Sequence, residues 1–195
     1  MKQALHFSGW AMIGIMMTFA LSASAHAPGA HVHGLAKLEI AIDDATVEIN
    51  LVSPLDNLVG FEHMPRNEKE RQAIKTMASK LQQPQNLFIF APAAQCSLRS
   101  TKLESSVLSP ELLTPAAGVE EKDGKNAGRD ATKSSMHGEL EATWYFNCAF
   151  PQALRGLDVK LFQTFPILQR IDTAVAGPAG QSSAKLTPAS TRLKW

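Results

Sequence analysis

The residues best suited to chemistry are histidines, and three of them fall between residues 26 and 34. They are His26, His31 and His33. Neutral imidazole is the commonest protein ligand for metal ions. In an extended segment, residues two positions apart project to the same side, so His31 and His33 could both reach one ion. Two imidazoles supply only half of a tetrahedral shell, so such a site needs further ligands from distant parts of the chain.

Two other histidines offer those ligands, and each lies near a carboxylate. His63 directly follows Glu62, and His137 lies close before Glu139. Zinc accepts imidazole nitrogens and carboxylate oxygens, and a carboxylate can instead orient a ligating ring. The competing interpretation is that His31 and His33 belong to a solvated tail and that His63 is a capping or core histidine satisfied by backbone groups. We expect a zinc site assembled from three distant pieces, with these candidate ligands: His31, His33, Glu62, His63, His137 and Glu139.

The first 25 residues have the pattern of an export signal. Lys2 precedes an apolar run at residues 10–21, and Ala23-Ser24-Ala25 is typical of a cleavage site. The run is short for a retained membrane helix. We therefore expect cleavage after Ala25 and a single exported domain at residues 26–195.

Charge argues against one large class of partner. The chain has 19 Lys and Arg against 18 Asp and Glu, with no basic block among them. Nucleic-acid binding needs a concentrated basic surface, so we expect no such partner.

Two cysteines, Cys96 and Cys148, lie in the exported part. An oxidising compartment and an even count favour a disulfide. A bridge between them would close a loop of about 50 residues and stabilise the fold by on the order of 4 kcal/mol. The alternative is that both thiolates ligate zinc.

Hydrophobic periodicity predicts mainly strands. Apolar residues alternate over residues 35–42 and 46–52, which predicts a hairpin around Asp43 and Asp44. The clearest strand runs from about 139 to Cys148. A helix is predicted over residues 68–82, because Asn67 and Glu70 resemble a capping box ahead of helical apolar spacing.

The rest of the chain is less regular. We predict a strand over residues 95–103, a strand and then a helix over 157–165, and a final hairpin at 167–176 and 181–186. Residues 117–135 are nearly free of apolar side chains, which predicts a flexible loop. The whole pattern indicates an α+β fold: a mainly antiparallel sheet built from hairpins, with one main helix packed on a face.

Several segments together resemble the ZrgA-type periplasmic proteins, a family linked to zinc uptake. The segments are His31-Val32-His33-Gly34, residues 53–63 ending in Gly-Phe-Glu-His, the Cys96 strand, His137 leading into residues 144–148, and residues 161–166. The resemblance covers nearly the whole exported chain. It implies a periplasmic zinc-binding protein that works with a metal importer of the inner membrane and has no enzymatic activity.

Position by position, the resemblance assigns metal binding to His31, His33, Glu62, His63 and His137. One departure concerns a histidine-rich insertion that many members carry before the second cysteine strand. The corresponding stretch here, residues 118–135, contains no histidine. A zinc-collecting role for this loop is therefore not expected.

Three other functions compete with a zinc carrier. Cleavage after Ala25 would make His26 the amino terminus, and its amine and imidazole together form a chelate that copper(II) favours. A zinc hydrolase would need an open coordination position and a base such as Glu62, but the H-E-x-x-H pattern is absent from the sequence. An envelope interaction module would leave the histidines without metal.

Overall fold

The computed structural model describes residues 32–114 and 138–195, and this part of the chain is dominated by strands. The strands are β1 (Leu35–Asp43), β2 (Thr46–Pro54), β3 (Phe88–Phe90), β4 (Cys96–Ser105), β5 (Glu139–Cys148), β6 (Gly156–Val159), β7 (Arg170–Gly177), β8 (Gly180–Leu186) and β9 (Arg192–Lys194). The helices are α1 (Asp56–Val59), α2 (Glu68–Leu81), α3 (Pro110–Leu113) and α4 (Leu161–Thr164).

The main sheet has six strands in the order β4-β5-β2-β1-β7-β8. Its centre is the predicted hairpin, in which Ile40 of β1 faces Ile49 of β2. On β5, Trp144 lies opposite Ile49 and continues the same row. All three side chains are buried, because alternation along each strand places one face of the sheet in the core.

Helix α2 covers the buried face of the sheet. Its apolar residues Ile74, Met77 and Leu81 are all buried. The indole nitrogen of Trp144 donates a 2.7 Å hydrogen bond to the carbonyl oxygen of Leu81. This bond satisfies a carbonyl in the last turn of the helix, where no intrahelical partner exists.

The amino-terminal end of α2 differs slightly from a reciprocal capping box. Asn67 accepts a 2.9 Å hydrogen bond from the amide of Glu70, as predicted. The carboxylate of Glu70 accepts from the amide of Arg66 at 2.6 Å instead of from that of Asn67. The hydrogen bond of the Glu70 carboxylate therefore reaches Arg66, one residue before Asn67, in the loop that contains His63.

A disulfide joins the first two strands in the sheet order. Cys96 and Cys148 lie directly opposite each other on β4 and β5 and are bonded. The bridge closes a separation of 52 residues, so the predicted structural role of the cysteines is confirmed. The alternative of two thiolate ligands is thereby wrong.

The predicted fold class is confirmed, with two additions. Strand β1 pairs in parallel with β7, so strands from the two ends of the described chain are neighbours. Strands β3, β6 and β9 form a separate sheet of three.

The proposed cleavage signal at residues 1–25 and the predicted loop at 117–135 lie outside the described residues. None of the helices within the described ranges is long and apolar enough to cross a bilayer.

Candidate metal centre

Strand direction brings the candidate segments to one end of the main sheet. Strand β1 begins at Leu35, next to the carboxyl end of the antiparallel β2. Strand β5 begins at Glu139, which lies opposite Pro54, the last residue of β2. The segments before β1, after β2 and before β5 therefore meet at this end of the strands, which we call the histidine end of the sheet.

Backbone contacts connect the second and third of these segments. The amide of Gly138 donates a 3.0 Å hydrogen bond to the carbonyl of Glu62, and the carbonyl of Gly138 accepts from Leu55 at 2.9 Å. A Cβ atom at Gly138 would lie 2.5 Å from the carbonyl oxygen of Glu62. The close approach of the two segments thus depends on glycine at this position.

His33 is held by a carboxylate from α1. Its Nδ1 lies 2.7 Å from Oδ2 of Asp56. A carboxylate only accepts hydrogen bonds, so Nδ1 carries the proton and donates it. In the neutral ring, Nε2 then keeps its lone pair. The His33 side chain is 71% exposed, so this nitrogen is open to solvent species.

Nearby carboxylates make the surroundings of His33 favourable for a cation. The hydrogen bond that His33 donates to Asp56, together with the charge of Asp56, raises the pKa of His33 above its ordinary value of 6.5. The small amount of desolvation opposes this effect, and the charge of Glu62 adds to it. Glu62 is therefore close enough to His33 for its charge to act on the ring. A bound metal ion would meet the same favourable field.

The backbone next to His33 is fixed by a buried amide. The side chain of Asn57 accepts a 2.6 Å hydrogen bond from the amide of Gly34 and donates to the carbonyl of Leu35 at 2.9 Å. The carbonyl of Gly34 accepts from the amides of Gln169 and Arg170 at 2.8 and 2.9 Å. Gly34 has φ of +80°, a conformation that favours glycine. Both backbone groups of Gly34, the residue after His33, are therefore hydrogen-bonded.

His63 lies in the connector between α1 and α2. Its Nδ1 donates a 2.8 Å hydrogen bond to the carbonyl of Met64, and its ring stacks on Phe61 with the centroids 5.0 Å apart. The Glu70 carboxylate lies 3.9 Å from the same Nδ1. As in His33, the nitrogen left without this contact is Nε2, which is the one available to a metal.

Of the remaining candidate ligands, Glu139 lies among the described residues and His31 and His137 do not. Glu139 is half-buried at the start of β5, and its carbonyl accepts a 2.6 Å hydrogen bond from the hydroxyl of Ser105. His31 and His137 lie outside the described residues. Within residues 32–114 and 138–195, no three His, Cys, Asp or Glu side chains are grouped closely enough to hold a metal ion.

Sequence reasoning missed Asp56 and Asn57 as functional residues. Both lie in the segment 55–60, which is otherwise apolar, and two polar residues there were the available signal. Their importance comes from contacts with residues 33–35, and no local pattern reveals contacts between segments so far apart along the chain.

A family model described as the ZrgA family zinc uptake protein matches residues 30–195. No curated protein matches the chain at a significant level. The matched range includes the histidine end of the sheet, the disulfide strands and both sheets. The chain belongs to the ZrgA family of zinc uptake proteins.

Proposed function

We propose that this protein captures zinc in the periplasm and passes it to a metal importer in the inner membrane. Family membership supports a role in zinc uptake. The observation that supports capture by this chain itself is the meeting, at one end of the main sheet, of three segments that each contain or adjoin a histidine. We infer a carrier and not an enzyme, with cleavage of residues 1–25 on export.

The proposed ligands begin with Nε2 of His33 and Nε2 of His63. In both rings Nδ1 is engaged by an oxygen acceptor, which is the usual arrangement around zinc-binding imidazoles. His31 and His137 complete the proposal, since they adjoin Val32 and Gly138 in the sequence. Glu62 and Glu139 act as additional ligands or orient the rings. Imidazole and carboxylate are donors that suit zinc.

Exposure of the site supports a carrier. Because the His33 side chain is 71% exposed, a second protein can reach an ion bound to Nε2 of His33. A zinc ion that is to be handed over must be accessible to its acceptor, whereas a structural zinc site is usually closed. Protonated imidazole cannot ligate, so we expect acid to release the metal.

Calorimetric titration of the exported, disulfide-intact protein tests this proposal. Zinc and copper(II) are compared on the wild type, on His33→Ala and on His63→Ala. The control is Asp44→Asn, because Asp44 is an exposed residue in the β1–β2 turn at the opposite end of the sheet and asparagine tolerates its positive φ of 49°. We expect stoichiometric zinc binding that both histidine variants weaken and the control leaves unchanged.

Two results would reject the zinc site. One is zinc binding in His33→Ala and His63→Ala that equals the wild type. The other is tight binding of copper(II) with only weak binding of zinc, which would favour the amino-terminal copper chelate. Circular dichroism of each variant ensures that a lost signal reflects lost ligands and not an unfolded chain.

A further inference from the structure

We propose that Asp56 is a positioning residue that presents Nε2 of His33 to the metal without ligating the metal itself. This inference rests on the proposed function, because it assigns a role to a residue beside one of the proposed ligands. It concerns a residue that the sequence pattern did not single out.

A strong hydrogen bond joins His33 to Asp56. At 2.7 Å it has the length of a charge-assisted hydrogen bond, which is stronger than a neutral one. The bond selects the tautomer with hydrogen on Nδ1, so the lone pair of the neutral ring lies on Nε2. In water, a free ring exchanges between both tautomers and rotates about its side-chain bonds. Asp56 removes much of that freedom before any metal arrives.

Asp56 itself is anchored. The Asp56 side chain is only 25% exposed, compared with 71% for His33. The next residue, Asn57, is fully buried and bonds the backbone of Gly34 and Leu35. Adjacent residues of α1 thus hold the His33 ring and the backbone that follows it. The ring of His33 and the backbone that follows it are therefore both bonded to the same short helix.

The geometry of the imidazole ring keeps the accepting oxygen of Asp56 away from a metal ion on Nε2. The two nitrogens of an imidazole ring point in different directions, so an ion on Nε2 lies away from the group that accepts from Nδ1. The Asp56 oxygen that accepts this bond is therefore directed at the ring and not at the ion. Partners of this kind typically change metal affinity by about 10–100-fold when they are removed.

The test measures zinc affinity and the state of the His33 ring in the same variants. Asp56→Ala removes the acceptor, whereas Asp56→Asn retains an oxygen that can accept from Nδ1. Asp44→Asn is the matched control, since Asp44 is exposed at the other end of the sheet. Calorimetry gives the zinc affinity, and nitrogen NMR of labelled histidine shows which ring nitrogen carries hydrogen and which binds zinc.

We expect the wild-type His33 ring to carry hydrogen on Nδ1 and to bind zinc through Nε2. Asp56→Ala should bind zinc about 10–100-fold more weakly, with a mixture of tautomers at His33. Asp56→Asn should lose less, and Asp44→Asn should match the wild type. If Asp56→Ala does not fold, the wild-type tautomer of His33 and the nitrogen through which its ring binds zinc still decide the proposal.

Failure of this inference can be distinguished from failure of the proposed function. If zinc shifts the His33 signals but the Asp56 variants bind zinc as tightly as the wild type, the positioning role is wrong. It is also wrong if zinc binds Nδ1 of His33, or if a zinc-bound structure shows Asp56 on the ion. If zinc leaves the His33 signals unchanged in the wild type, His33 is not a ligand and the proposed site fails with it.

Discussion

Replacement of Asn57 by alanine is expected to lower the free energy of unfolding by about 2–4 kcal/mol. The Asn57 side chain is fully buried and makes three hydrogen bonds. It accepts from the amide of Gly34 at 2.6 Å and donates to the carbonyl of Leu35 at 2.9 Å and to the hydroxyl of Ser53 at 3.2 Å. The variant keeps none of them.

The magnitude follows from the partners that the variant leaves behind. Gly34 is buried, so its amide has no access to water, and a buried donor without a partner costs about 1–3 kcal/mol. The carbonyl of Leu35 also loses a donor, which costs less because this bond is only part-buried and water can replace it. The Ser53 hydroxyl still donates to the carbonyl of Pro54 at 3.1 Å and adds little.

Urea unfolding followed by circular dichroism measures the effect. The midpoint should fall while the slope stays constant, since the surface exposed on unfolding is unchanged. Asn86→Ala is the matched control, because Asn86 is exposed and its 3.2 Å bond to Gln83 lies at the surface. That variant should remain within about 0.5 kcal/mol of the wild type. Equal stability of Asn57→Ala and Asn86→Ala would refute the reasoning.

Two further predictions concern the disulfide and the titration of the exposed histidine. Replacing both Cys96 and Cys148 by alanine should lower the free energy of unfolding by about 4 kcal/mol, because the chain-entropy model gives this value for a loop of 52 residues. Urea unfolding measures this loss, and a value below about 1 kcal/mol would contradict the prediction. NMR titration of the metal-free protein should give a pKa of His33 above 6.5, because Asp56 stabilises the charged ring. A folded-state pKa above the unfolded value means that the pair contributes its full stability below about pH 6.5 and loses it as the pH rises through the folded pKa. A midpoint at or below 6.5 would contradict the hydrogen bond.

The elements with strong local signals could be predicted from the sequence. The β1–β2 hairpin, helix α2 and strand β5 each have a clear apolar period, and all three are present with bounds close to those expected. Cys148 ends β5 on its buried face, at the end of the strand predicted to run to this residue. In each case the residues that determine the element lie within it.

The features that depend on distant contacts could not be predicted. Strands β3 and β9 have only three residues each, which is too short to show a period, whereas β6 and α4 match the strand and helix predicted over residues 157–165. The parallel pairing of β1 with β7 follows from the packing of the whole sheet, and no local residue pattern specifies it. The candidate histidines could be identified by residue type alone. The contacts of Asp56 and Asn57 join distant segments, so they became visible only in the structure.

The pairing of β1 with β7 also bears on how the protein folds. Strand β1 hydrogen-bonds to β2 on one side and to β7 on the other, so the middle of the sheet contains strands from both ends of the described chain. Contacts between residues far apart in sequence slow folding, because a long loop must close before they form. Until β7 arrives, the hairpin has an open edge that other chains can join. We therefore expect refolding to be slow and to give more aggregation as protein concentration increases.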